Sequence, residues 1–260
     1  EPWQLRAIAK YYLDDWQGAE SDATEALKLN PYVTELYDLR GITRIRQENF
    51  TDAISDYTKA IEQEPANQNY WYNRAACYLE NKDYEACQLQ LDTLIQKWQK
   101  NAGAYLMKAE AYMNQGDTVA AENWIDKGLE IDEHNANAWR VKAMLAFFKS
   151  KWKDADEYYT KALHYKPKDV RSYVNRAHVR LRENNLRGAM NDYDTALELD
   201  PNNFLAHYNR GLLRQQVGDD NRAIEDFNYV LSLEPGNIMA LFNRALLEDR
   251  TGDLKSAIRD

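Results

Sequence analysis

The chain has 260 residues, 44% hydrophobic and 29% charged, with 42 acidic against 33 basic side chains and a net charge of −9. That balance belongs to a globular chain rather than a disordered one. The absence of a dense Lys/Arg stripe excludes a nucleic-acid backbone or an anionic membrane surface as the expected partner. No apolar run approaches the length of a bilayer span. Only ten Gly and six Pro interrupt a composition that favours helix.

One period of 34 residues organises the whole sequence. From Ala19 it reaches Ala53, Cys87, Ala121, Ala155, Ala189, Ala223 and Ala257, and from Ala7 it reaches Gly41, Ala75, Ala109, Ala143, Ala177, Gly211 and Ala245. Two columns of small residues therefore stay in register without an insertion or deletion, the signature of a repeat array. The repeats are 1–33, 34–67, 68–101, 102–135, 136–169, 170–203, 204–237 and a partial 238–260. The chain starts without Met and stops inside a helical pattern, so it is expected to be a piece of something longer.

In chain order, the first repeat opens with Trp3, Arg6 and Ala7 and closes with Asp22, Ala23 and Pro31. The second shows the pattern most plainly: "ELYDLRGITRIRQ" has helical spacing, "ENF" interrupts it, and "TDAISDYTKAIEQEP" resumes it until Pro65. The third carries Trp71, Arg74 and Ala75, then Cys87, Gln90 and Leu91. The fourth turns at Gly116, and like the third it lacks the closing proline, with Gln99 and Glu133 in its place. The fifth is rich in aromatics: Trp139, Phe147, Phe148, Trp152, Tyr158, Tyr159 and Tyr165. The sixth and seventh return to the pattern of the second, ending at Pro201 and Pro235, with a turn at Gly218. The eighth runs to Asp260 past Gly252. Small residues on both helices allow an antiparallel pair to pack closely. Hairpins of this kind bury their apolar faces only by stacking.

These columns resemble the tetratricopeptide repeat (TPR) family, whose first helix carries Trp–Leu–Gly–Tyr and whose second carries Ala–Phe–Ala and then Pro. Gly211, Gly218, Ala223, Phe227 and Pro235 show the match in the seventh repeat. The resemblance spans the whole chain. It implies an all-α TPR solenoid of antiparallel helix hairpins forming a right-handed superhelix, a single array over residues 1–260. It also implies a concave groove, lined by the first helices, that binds peptides or partner helices.

The chain departs from the family where Leu is usual. Arg6, Arg40, Arg74, Lys108, Lys142, Arg176, Arg210 and Arg244 occupy that column, and sixteen residues later stand Asp22, Asp56, Gln90, Trp124, Tyr158, Asp192, Asp226 and Asp260. The two columns are equidistant from the turn of an antiparallel hairpin, so Arg and Asp are expected to face each other, within a repeat or across to the next. Arg74, opposite Gln90, is the copy without its carboxylate and so the place to look for an arginine released for binding.

Asn73, Asn175, Asn209 and Asn243 match a position from which some TPR proteins hold a peptide's terminal carboxylate. The companion residues that such a clamp requires are not in place. Around Asn73 those positions hold Asp38, Ile42, Gly103 and Met107. Chaperone-tail binding of that kind is therefore not expected.

By register, the groove residues of the middle repeats are Tyr72, Asn73, Leu106, Glu110, Met113, Arg140, Met144, Phe147, Phe148, Arg171, Asn175 and His178. They form an apolar floor with scattered polar heads, suited to a partner helix or extended peptide.

Catalytic chemistry is not expected. His134, His164, His178 and His207 fall in no metal-binding spacing. Cys77 and Cys87 sit at small packing positions, and the acidic pairs lie at turns. No cofactor or metal is implied. The function expected is a protein–protein interaction scaffold. The alternative is a regulatory or substrate-recruiting part of a larger enzyme or transport assembly. Self-association through the array ends is a further possibility. The compartment is open between cytoplasm and a bacterial cell envelope or periplasm.

Overall fold

The computed structural model describes residues 2–260. Among them are sixteen α-helices and no strand. They pair as hairpins in chain order: α1 (Pro2–Tyr12) with α2 (Trp16–Leu29), α3 (Thr34–Arg46) with α4 (Phe50–Gln63), α5 (Gln68–Glu80) with α6 (Tyr84–Lys97), and α7 (Ala102–Asn114) with α8 (Thr118–Ile131). Then follow α9 (Ala136–Phe148) with α10 (Trp152–Tyr165), α11 (Val170–Arg182) with α12 (Leu186–Leu199), α13 (Phe204–Gln216) with α14 (Asp220–Leu233), and α15 (Ile238–Thr251) with the short α16 (Leu254–Arg259). The helices divide between two compact bodies, one ending at Glu133 and the other beginning at His134. No helix is long and apolar enough to cross a membrane.

The hairpin turn is one conformation used eight times. Asp14, Glu48, Lys82, Gly116, Ser150, Asn184, Gly218 and Gly252 all have positive φ, between 57° and 89°. They are spaced by 34 residues, and only three are glycine. The other five hold a left-handed geometry that L-residues disfavour, because closure of the hairpin leaves the backbone no alternative. The next residue caps the second helix. The side chains of Asp15, Asn49, Asp83, Asp117, Asn185 and Asp253 each accept the backbone N–H three residues on. Lys151 and Asp219 stand in this column without a side-chain cap.

The two small-residue columns are buried throughout the first seven repeats; Ala7, Ala75, Ala109, Ala143, Ala177 and Ala19, Ala53, Cys87, Ala121, Ala155, Ala189, Ala223 are fully inaccessible. Opposite them sits the large column, with Tyr57, Leu91, Ile125, Tyr193 and Phe227 at 0% exposure. The approach is close: a Cβ on Gly41 would lie 2.9 Å from the Tyr57 ring, and one on Gly211 would lie 3.1 Å from the Phe227 ring. Cys77 and Cys87 are buried and unpaired, and burial pushes both thiols up to about 12, so they serve as small apolar residues.

The aromatic column joins one hairpin to the one before it. The Trp71 indole N–H donates to Pro65 O at 3.1 Å, and the Tyr105 hydroxyl donates to Gln99 O at 3.3 Å. His207, whose imidazole takes the place of a Trp or Tyr ring, does the same from Nε2 to Pro201 O at 2.9 Å and stacks on Tyr229 with ring centroids 4.0 Å apart. The ring covers the turn while its polar tip bonds a carbonyl just past the end of the preceding helix, whether that residue is Pro or Gln.

Tyr193 has a hydroxyl buried without a hydrogen-bond partner. Phe227 fills the same column one repeat later. Tyr193→Phe is therefore expected to raise stability by about 1–2 kcal/mol, the desolvation cost of an unmade hydrogen bond. Chemical denaturation of the two proteins side by side measures it, and a destabilised variant would mean that the hydroxyl is satisfied in solution.

Candidate functional site

The arginine column is consumed by structure. Arg40 Nη2 donates to Asp56 Oδ1 at 2.6 Å, Arg176 Nη2 to Asp192 Oδ1 at 2.7 Å, and Arg210 Nη2 to Asp226 Oδ1 at 2.7 Å, each with Nε on the same carboxylate. Arg6 and Asp22, and Arg244 and Asp260, repeat the arrangement. The remaining Nη1 reaches back to the preceding second helix: Arg40 to Thr24 at 3.1 Å, Arg176 to Thr160 at 3.0 Å, Arg210 to Asp194 at 2.8 Å and Arg244 to Asn228 at 2.6 Å. The staple therefore works both within a repeat and across to its predecessor.

A second basic residue four positions on closes four of the five clusters; in the fifth that position is Glu248, 3.7 Å from Arg244 Nε. Lys10 reaches Asp22 at 2.9 Å, Arg44 reaches Asp56 at 2.7 Å, and Arg180 and Arg214 reach Asp192 and Asp226 at 2.8 Å. Hydrogen bonds from Arg6 hold the Asp22 carboxyl well down, at about 2. At Asp56 burial wins, and the carboxyl is raised despite Arg40 and Arg44. Desolvation thus offsets much of the attraction, and the clusters specify which helices meet rather than adding large net stability.

Arg74 is not released. Its Nη2 donates to Gln90 Oε1 at 2.7 Å and its Nη1 to Thr58 Oγ1 at 3.0 Å, so Gln90 takes over the role of Asp. Burial lowers the Arg74 pKa in the absence of a carboxylate. In the next two repeats the staple becomes a cation over a ring. Lys108 Nζ lies 4.2 Å from the Trp124 ring centroid, and Lys142 Nζ lies 4.9 Å from that of Tyr158.

The twelve residues placed on the first helices by register fall into two groups, one on each compact body. In the N-terminal body, Tyr72 and Asn73 lie on α5 and Leu106, Glu110 and Met113 on α7. Tyr72 packs against a core cluster that includes Met107 and Ala111, and its hydroxyl is raised by burial and by the charge of Glu110. Asn73 meets Asp38 of the preceding first helix, whose carboxyl is raised by burial and partly lowered again by Tyr57 and Asn73. In the C-terminal body, Arg140, Met144, Phe147 and Phe148 lie on α9, and Arg171, Asn175 and His178 on α11.

Five of those seven come together. Met144, Phe147, Phe148, Asn175 and His178, with Tyr159 of α10, line a cavity of about 150 Å³. Tyr159, which stands 34 residues before Tyr193 in the large core column, is 2% exposed and forms the cavity's sixth wall. Phe147 is half-buried against Trp152, with ring centroids 5.1 Å apart, while Phe148 is 69% exposed at the mouth. Asn175 engages Tyr159, and His178 engages Asn209 of α13. The asparagine column therefore ties each first helix to its predecessor and leaves apolar surface between.

Burial pushes the His178 imidazole below its ordinary pKa; Asn209 partly restores it, and the charge of Arg182 lowers it further. The folded chain binds this proton less readily than the unfolded chain, so stability is complete above about pH 6.5 and falls as pH drops below it. Melting temperature followed from pH 7.5 to 5 is expected to decline less in His178→Gln than in the parent. Equal declines would remove His178 as the cause.

Two models described as "Tetratricopeptide repeat" match residues 39–86 and 90–145, and one described as "TPR repeat" matches 178–218, together more than half of the chain. The chain belongs to the tetratricopeptide repeat family. Among curated proteins, none matches it. A TPR protein from Parabacteroides merdae is similar in structure at 20% identity, with 95% of this chain and 97% of that one covered and a TM-score of 0.65. A chain of the APC/C hetero-tetramer Cut9–Hcn1 is similar at 16% identity and a TM-score of 0.68, over 92% of this chain and 50% of that one. YrrB, a TPR protein with an unusual peptide-binding site, is similar at 20% identity and a TM-score of 0.57, over 71% of this chain and 95% of that one. At these identities the likeness is one of fold. TPR arrays are in general non-catalytic scaffolds, and the fold supports a general protein–protein interaction role for this chain.

Proposed function

We propose that this TPR chain holds a segment of a partner protein against its first helices, as one array of eight repeats, and that the α9–α11 cavity is its anchoring point. On the same body Arg140 and Arg171 extend the contact surface, and Tyr72, Asn73, Leu106, Glu110 and Met113 offer the N-terminal body a contact surface of its own. The observation that carries this reading is the cavity itself: unfilled apolar space walled by Met144, Phe147 and Phe148 and edged by two polar heads, Asn175 and His178. Ligand sites are typically built from such apolar concavities with a few placed polar groups. Methionine adapts to irregular partners and phenylalanine anchors them. YrrB, similar in fold, carries a peptide-binding site of its own. Phe147→Ala is expected to weaken partner binding by roughly 10-fold or more, about 1.4 kcal/mol or above. Isothermal titration against peptides selected on the parent protein measures it, and unchanged affinity would sink the assignment.

A further inference from the structure

We propose that the α9–α11 face takes a peptide segment in which acidic side chains flank one bulky apolar side chain, the apolar group entering the cavity and the carboxylates pairing with Arg140, Arg171 and Arg182. The inference rests on the anchoring role just given to the cavity and adds the chemistry of what it holds.

The first observation is the distribution of charge. The chain as a whole carries −9, yet α9, α11 and α13 contain no Asp or Glu at all. In the N-terminal body α1 is likewise free of acid, but the three first helices after it are not: α3 carries Glu35 and Asp38, α5 carries Glu80 and α7 carries Glu110. A strongly acidic protein has therefore cleared acid from three successive first helices.

The second is the pairing of the cations left there. On α11, Arg176 and Arg180 are locked onto Asp192 at 2.7 and 2.8 Å. Arg210 and Arg214 of α13 are locked onto Asp226 in the same way. Arg140, Arg171 and Arg182 have no carboxylate partner among the described residues. The structure uses the other arginines and leaves these three.

The third is their placement. Arg171, Asn175, His178 and Arg182 are spaced by four, three and four residues, one stripe of a helix, and Arg140, Met144, Phe147 and Phe148 form the corresponding stripe of α9. The cavity lies between the two stripes. The charge of Arg140 is felt at Tyr159 on its wall and that of Arg182 at His178 on its edge, so the two cations bracket it. A cavity of this size accepts a benzene-sized group, the side chain of Phe or Leu. Arginine at the rim pairs with carboxylates in bidentate geometry and steers an acidic partner toward the site. A basic segment would meet three uncompensated positive charges and is selected against.

The test uses fluorescence anisotropy with labelled twelve-residue peptides, acetylated and amidated so that no terminal charge contributes. One has a central Phe between Glu and Asp residues, a second has Gln in place of the acids, a third has Lys, and a fourth keeps the acids with Ala for Phe. The acidic Phe peptide is expected to bind tightest. It should lose about 10-fold in affinity at 0.5 M salt and about 10-fold on Arg140→Glu/Arg182→Glu, to which the Lys peptide should gain. These arginines anchor nothing, so the double variant should melt with the parent; if it does not, Arg182→Gln alone is read. Equal binding of the acidic and Gln peptides, or unchanged binding by the variant, overturns the acidic preference while leaving the cavity as the anchor. No advantage of Phe over Ala, together with no effect of Phe147→Ala on any peptide, overturns both.

Discussion

Asp226→Ala lowers the stability of the C-terminal hairpins by about 3–5 kcal/mol, the cost of stranding buried charge. Asp226 is 2% exposed; it accepts from Arg210 Nε at 3.1 Å, Arg210 Nη2 at 2.7 Å and Arg214 Nη1 at 2.8 Å, and lies 3.1 Å from His207 Nδ1. Without it, Arg210 keeps only Asp194 at 2.8 Å, and Arg214 keeps only the carbonyl of Arg222 at 3.3 Å. Two guanidiniums that are about 15% exposed would then sit largely desolvated with less than half their bonds. Arg210→Ala is the milder change, costing about 1–3 kcal/mol, because Asp226 still has Arg214 and His207. Guanidinium denaturation of the three proteins orders them, and peptide affinity of Arg210→Ala should match the parent. A near-neutral Asp226→Ala would show that the cluster contributes no more than solvated surface charges do.

Phe227→Ala costs about 3–5 kcal/mol, the loss of a buried ring plus the cavity left behind. The ring is completely buried, edge-on to Tyr208 with centroids 5.9 Å apart, and it presses so closely on Gly211 that a Cβ there would come within 3.1 Å of it. Removing the ring opens that space, so Gly211→Ala added to Phe227→Ala should recover part of the loss, although alone it should be mildly unfavourable. The same two columns already combine Ala75 with Leu91 and Ala177 with Tyr193 in shared core clusters. Repeat arrays couple mainly to nearest neighbours, so amide exchange should quicken in α13 to α15 while α9 and α10 stay protected. Uniform loss of protection through the C-terminal body would show that it unfolds as one unit.

Much of this was legible in the sequence. The 34-residue period named the hairpins, the buried columns and the family, because a stacked array forces the same contact to recur at the same spacing. The Arg–Asp pairing followed from one geometric fact, that positions equidistant from an antiparallel turn stand side by side. The twelve register positions all fall on first helices. They did not single out Phe147 and His178, which wall the α9–α11 cavity. Nor did they include Tyr159, whose residue type and column read as plain core.

By itself, the sequence determined the repeat length, the helix hairpins, the small-against-large packing and the near side of each arginine staple. All of these are local in a hairpin, so a period exposes them. The tertiary structure alone decided three things. It placed the far hydrogen bond of each arginine on the preceding helix, and the second cation, Lys10, Arg44, Arg180 or Arg214, on the shared carboxylate. It set Asp14, Glu48, Lys82, Ser150 and Asn184 in the left-handed conformation that glycine takes in the other three turns. It left space beside Tyr159 and walled that space with α9 and α11. The reason is common to all three: a guanidinium has more donors than one partner can use, a turn's φ is set by the helices it must join, and a cavity exists only where three helices fail to close. Each depends on how neighbouring hairpins stack, which no column of a single repeat records.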